Sequence, residues 1–95
     1  MRARPRVDAN QEDIVRGLRA LGVSVQSLAS VGAGCPDLLC GWGRQNWLLE
    51  VKDGHKKPSA RKLTADEMRF REAWRGQVAT VACLNDALTV LGISL

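Results

Sequence analysis

The 95-residue chain has no run long and apolar enough to cross a membrane. Its basic start, Met1-Arg2-Ala3-Arg4-Pro5-Arg6, lacks the apolar stretch of a secretory signal. Both absences point to a cytoplasmic protein with no membrane partner. Histidine occurs once, at His55, and the three cysteines, Cys35, Cys40 and Cys83, include no closely spaced pair. That excludes a standard zinc centre and argues against a disulfide framework, which leaves the cysteines as small buried hydrophobes. No repeat, linker or low-complexity tract interrupts the chain, and nothing in it calls for a small-molecule cofactor. One domain over residues 1–95 is expected, with residues 1–7 as a flexible basic arm.

What is present is ordinary in amount and unusual in placement. Apolar residues make up 45% and charged residues 25%, as in soluble globular domains. The formal net charge of +4 is concentrated in two places. Arg2, Arg4 and Arg6 form one cluster; His55, Lys56, Lys57, Arg61 and Lys62 form another. Two basic clusters flanking a core suit a polyanionic partner held by salt-sensitive phosphate contacts. A merely solvated surface is the plainer reading of the same charges.

Periodicity orders the elements. Asp8–Leu21 has Ile14, Val15, Leu18 and Leu21 at helical spacing, with Gly22 as a stop. Gln11 projects near the same face and Glu12 away from it. Val23–Leu28 alternates as a half-buried strand does, and Ser30–Pro36 is a Gly-containing turn. Leu38–Trp42 and Trp47–Lys52 read as strands joined through Gly43-Arg44-Gln45-Asn46. After a polar loop, Asp53–Lys62, the pattern Thr64-Ala65-Asp66-Glu67 opens a second helix that runs to about Arg75 and ends at Gly76. Val78–Leu84 is a last strand, and Asn85 caps a short helix through Leu91. Hairpin strands followed by a helical crossover imply an α/β fold, with a mixed central sheet flanked by helices.

The hairpin carries charges where apolar side chains would serve a core. If Trp42 faces Trp47, alternation puts Asp37, Leu39, Leu48, Glu50 and Lys52 on one face. Leu38, Cys40, Trp42, Trp47, Leu49 and Val51 occupy the other, which is wholly apolar. Asp37 and Glu50 are then diagonal neighbours, and Lys52 lies directly opposite Asp37. Two carboxylates so placed can both ligate one hard cation such as Mg²⁺, with the Val51 backbone carbonyl as a further ligand and Mn²⁺ as a substitute. Lys52 would orient a water or stabilise charge developing on a phosphate, a set of roles that fits phosphodiester hydrolysis. A partly exposed structural salt bridge is the alternative use of the three residues.

Gly34-Cys35-Pro36-Asp37-Leu38-Leu39 followed by Leu49-Glu50-Val51-Lys52 resembles the signature of the PD-(D/E)XK nuclease superfamily. The pattern is most similar to its small VRR-NUC-type and Holliday-junction-resolvase-like members, and the similarity extends over nearly the whole chain. The resemblance implies a restriction-endonuclease-like αβββαβ core. It also implies a metal-dependent endonuclease acting on DNA, structure-selective for branched or junction substrates, with Asp37 and Glu50 on the metal and Lys52 catalytic. Junction-resolving relatives imply a homodimer. Two positions depart from the family pattern: Gln11 stands where many relatives carry a glutamate on the first helix, and Glu67 where VRR-NUC-type relatives often carry glutamine. The rival classes are a catalytically inactive nucleic-acid-binding module and a structural subunit of the same fold.

Other candidates have plainer uses beside their chemical ones. Glu67 shares a stripe with Phe70, Arg71 and Trp74 that is otherwise core-facing, so it can reach the metal site or serve only the capping box with Thr64. Gln11 can position a water or phosphate, or be satisfied by backbone. Trp42 and Trp47 lie on the apolar face and are expected in the core rather than as a stacking platform. Lys56, Lys57, Arg61 and Lys62 are the candidates for DNA-backbone contacts. His55 more naturally meets phosphate or solvent than acts as a base.

Overall fold

The computed structural model describes residues 9–95. Helix α1 (Ala9–Ala20) is followed by strands β1 (Ser24–Ser27), β2 (Leu38–Trp42) and β3 (Gln45–Val51). A short 3-10 turn (Pro58–Arg61) then precedes α2 (Ala65–Ala73), β4 (Val78–Val81) and α3 (Leu84–Leu91). The strands form one mixed sheet in the order β1-β2-β3-β4, antiparallel except for the parallel pair β3–β4. Parallel neighbours cannot be joined by a tight turn, and α2 supplies the crossover. The expected αβββαβ core is present, with α3 added at its end. The basic arm with Arg2, Arg4 and Arg6 lies outside the described residues.

Local chemistry sets the element ends. Helix α1 closes on Gly22 (φ +90), with Val23 N–H bonded to the Leu18 carbonyl and Gly22 N–H to that of Arg19, a Schellman arrangement. Helix α2 begins with the full Thr64/Glu67 capping box and stops at Ala73, two residues earlier than the periodicity predicts. The N-cap of α3 is Cys83, whose Sγ accepts from the Asp86 amide, rather than Asn85. Asp86 reaches back to the Ala82 amide at 2.9 Å, so the reciprocal cap starts two residues early and shortens the last strand.

The hairpin turns in two residues rather than four. Gly43 (φ +58) and Arg44 (φ +64) both occupy the left-handed region, as the primed hairpin turn requires. Trp42 therefore faces Gln45, not Trp47. The shift is an even number of residues, so the two faces keep their members. Leu38, Cys40, Trp47, Leu49 and Val51 are buried against Ile14 and Leu18 of α1 and Ala87, Leu88 and Leu91 of α3. Trp42, carried out to the hairpin tip, is 37% exposed and is not a core residue. Of the cysteines only Cys40 is buried; Cys35 is half-buried and Cys83 exposed.

Helix α2 crosses the opposite face of the sheet and buries none of its residues. The stripe predicted to face the core is half-buried at Phe70 and exposed at Arg71 and Trp74. What seats the helix is a close backbone approach. Gly34 has φ +78, and a β-carbon there would collide with the Asp66 carbonyl and come within 2.9 Å of the Glu67 amide. Gly34→Ala is expected to cost at least about 2 kcal/mol, from left-handed strain plus displacement of α2. Gly32→Ala is the matched control, since Gly32 has φ +75 but open space around its would-be β-carbon. Thermal or denaturant unfolding should show the Gly34 variant clearly less stable than the Gly32 variant; equal losses would refute the docking role.

Candidate active site

Backbone direction alternates along β3, and this builds the site. The amides of Leu48 and Lys52 donate toward β4, to the carbonyls of Gln77 (3.0 Å) and Val81 (2.9 Å). The backbone groups of Leu49 and Val51 therefore face β2. Continuing the observed register past Leu38↔Leu49 places Asp37 opposite Glu50 and Pro36 opposite Val51. Proline has no N–H, so the Val51 carbonyl meets no ladder donor at that rung. The Val51 amide is taken by a side chain instead: Asp37 Oδ2 accepts it at 2.7 Å. Two carboxylates and one carbonyl thus meet where β2 begins and β3 ends. On that extension Asp37 is a direct cross-strand neighbour of Glu50 rather than a diagonal one, and Lys52, two residues beyond Glu50, no longer stands opposite Asp37.

Lys52 links the strand to α2. Its Nζ lies 2.9 Å from Glu67 Oε1 and 3.5 Å from Glu50 Oε1. The same Glu67 oxygen accepts from the Thr64 amide at 2.8 Å. One carboxylate therefore completes the capping box and also reaches Lys52. Lys52 is nearer to Glu67, which leaves Glu50, 6% exposed, with little compensation.

The titration behaviour follows from these contacts. Burial, a hydrogen bond shared with Glu67 and the charges of Asp37 and Glu67 push Glu50 up to about 9, against the pull of Lys52. Asp37 is raised, chiefly by burial, although the Val51 amide opposes it. For Glu67 burial works upward, but hydrogen bonds from Glu50, the Thr64 amide and Lys52 bring it down to about 2. Burial works to lower Lys52; the hydrogen bond and charge of Glu67, with Glu50, overcome it and leave the ammonium raised. Cys35 is raised by burial and then by the charges of Glu50 and Asp37, which marks it as a neighbour of the pair.

The remaining candidates make no hydrogen bond or ion pair to this centre among the described residues. Gln11 is buried and lines a groove of about 460 Å³ with Val15, Arg19, Val25 and Leu38, the residue after Asp37. Among the described residues it makes no hydrogen bond to Asp37, Glu50 or Lys52. Lys56, Lys57 and Lys62 are exposed in the segment that leaves Lys52, and Arg61 is half-buried. His55 is exposed, its amide bonded to Asp53 Oδ1 at 2.9 Å. One positioning residue is absent from the sequence reading. Asn10 Nδ2 donates to the Lys52 carbonyl (2.9 Å) and the Ala82 carbonyl (3.2 Å), which pins α1 to the ends of β3 and β4.

Comparison with known proteins bears on the family of the fold. A solved structure described as a VRR_NUC domain is 33% identical and superposes with a TM-score of 0.54; the match covers 83% of this chain and 88% of that one. No family model matches the sequence, and no curated protein is significantly similar to it. The chain belongs to the VRR-NUC family of PD-(D/E)XK-like nucleases.

That fold family implies a divalent metal, and the donors suit one. Among the described residues no cluster of three His, Cys, Asp or Glu has metal-holding geometry. A magnesium ion, however, takes one or two carboxylates and completes its shell with water and substrate oxygens. Asp37, Glu50 and the Val51 carbonyl, which Pro36 cannot donate to, provide that number of hard oxygens. Glu50 is disfavoured as a carboxylate first by burial and then by Glu67 and Asp37 beside it, and a cation between the carboxylates would offset that cost.

A stability prediction follows for the metal-free protein. Glu50, raised from 4.5 to about 9, costs the fold stability that grows from pH 4.5 upward and levels off above about 9. Glu67, lowered to about 2, adds stability that is full above pH 4.5 and is lost as pH falls toward 2. In chelator at pH 8, Glu50→Gln should melt several degrees above the wild type and Glu67→Gln below it, a domain of this size moving roughly 4–8 °C per kcal/mol. The Glu50→Gln gain should shrink as pH approaches 4.5. A gain independent of pH would contradict the electrostatic account.

Proposed function

We propose that this chain is a metal-dependent endonuclease that hydrolyses DNA phosphodiester bonds, with a preference for branched or junction substrates. The observation that carries the reading is the meeting of Asp37, Glu50 and the Val51 carbonyl at the end of the hairpin, with Lys52 following directly on the strand. Asp37, Glu50 and the Val51 carbonyl would hold Mg²⁺, or Mn²⁺ in its place. When bound, the metal polarises a phosphate oxygen and acidifies a coordinated water. Lys52, kept protonated by Glu67, orients the attacking water or stabilises charge on the phosphate in the transition state. Glu67 acts through Lys52 and is a positioning residue. Lys56, Lys57, Arg61 and Lys62, with Arg2, Arg4 and Arg6, supply phosphate contacts that position the duplex without reading its sequence.

The test is incubation with linear, flapped and four-way-junction DNA, with and without Mg²⁺ or Mn²⁺. Cleavage is expected only with metal, and Glu50→Ala should reduce it at least about 100-fold, as expected when a charge-stabilising centre is lost. Joint Lys56→Ala and Lys57→Ala substitution should leave metal dependence intact, weaken DNA binding and flatten the slope of log K against log salt by up to about 2. Binding without metal-dependent cleavage on any substrate would reassign the chain as a DNA-binding module. Cleavage that survives Glu50→Ala would overturn the site.

Resolving a junction requires two cuts, and one chain offers one such site, so the active species is a homodimer with two-fold symmetry. Light scattering should report about twice the chain mass at the concentrations where junctions are cut. A monomer under those conditions would count against it.

A further inference from the structure

We propose that the indole of Trp74 is a stacking site for an unpaired nucleotide beside the scissile phosphate, so that the substrate carries a flap, gap or frayed strand next to the cut. The inference rests on the nuclease reading and adds the class of DNA that the site accepts. Trp74 is the C-cap of α2 and is 47% exposed. It lines a small groove whose floor includes Leu39 and Leu48, on the same sheet face as the two carboxylates. Leu39 is two residues from Asp37 and Leu48 two residues from Glu50, about 7 Å along each strand. Trp74 is seven residues after Glu67, roughly 10 Å along the helix. The indole thus walls the groove that leads away from the reacting end.

The ring is also held in place before any ligand arrives. Phe70 stacks on it with centroids 5.2 Å apart and planes 16° from parallel. A β-carbon at Gly76 would come within 2.9 Å of the indole Nε1, so the missing side chain makes room for the ring edge. An exposed, pre-stacked aromatic face is what an unpaired base needs and a paired base cannot reach. The exposed Arg75 at the next position supplies positive charge for the adjoining phosphate. The aromatic platform and its neighbouring cation together favour a nucleic-acid strand over an apolar protein partner.

The experiment reads binding separately from cleavage. In chelator, fluorescence anisotropy compares a duplex with the same duplex bearing a five-nucleotide single-stranded flap, for wild type, Trp74→Ala and Trp74→Phe. Trp74→Ala should weaken flap binding by about 5- to 150-fold with little change on duplex, and Trp74→Phe should restore most of it. A 2-aminopurine in the first unpaired position should be quenched on binding wild type and not on binding Trp74→Ala. Flap affinity unchanged in Trp74→Ala, equal losses on flap and duplex, or an unquenched 2-aminopurine would each overturn the proposal, whatever the cleavage assay shows. A DNA-free dimer that Trp74→Ala dissolves, with flap preference intact, would assign the face to a second copy instead. Selective flap binding that depends on Trp74, in a protein that cuts nothing, would keep the stacking site and discard the nuclease reading.

Discussion

The hydrogen bond from the Val51 amide to Asp37 Oδ2 is the constraint from which the candidate site is built. A β-ladder normally closes each rung with backbone on both sides. At this rung Pro36 has no N–H to give, and a side chain supplies the acceptor in its place. The substitution has two effects at once. It fixes the Asp37 carboxylate beside Glu50, and it leaves the Val51 carbonyl facing the same corner with no partner from the ladder. Neither effect survives a change of register. The two-residue turn at Gly43-Arg44 at one end of the hairpin and the proline at the other therefore determine one geometry between them.

The charges around that corner do not balance within the chain. One ammonium, Lys52, stands among the carboxylates of Asp37, Glu50 and Glu67, and its shorter contact is to Glu67. Glu67 itself is oriented by the capping box of α2, so a residue that begins a helix also decides where the lysine points. The buried Glu50 is left as the group that most disfavours ionisation. Packing leucine or glutamine there would make a more stable domain. Retaining a carboxylate at such a cost is the pattern expected where function opposes stability.

How much of this was legible in the sequence differs by element, for physical reasons. A period of two conveys which face a residue occupies, and that parity held for Asp37, Glu50 and Lys52 although the pairing itself moved by two residues. Register depends on the turn, and Gly43-Arg44 hides a primed turn because arginine gives no sign of adopting positive φ. The same slip sent Trp42 to the hairpin tip. The α2 stripe misled because helical periodicity does not reveal that the helix lies on polar contacts and one glycine rather than on the core. Asn10 left no signal, since its partners are 42 and 72 residues away. The capping box was read correctly, but only the folded chain shows its glutamate also reaching Lys52.

The two sides of the sheet are held by different forces, and this bears on which part of the site can give way. Helices α1 and α3 bury Ile14, Leu18, Ala87, Leu88 and Leu91 against the apolar face, so the strands carrying Asp37 and Glu50 rest on the most stable part of the molecule. Helix α2 has no fully buried residue and is seated by the Gly34 approach, the Lys52–Glu67 pair and the hydrogen bond from Arg71 to Thr80. Few buried apolar contacts mean a low free energy of local opening. The carboxylates are therefore fixed by the core, whereas the position of Lys52 depends on a helix held mainly by polar contacts.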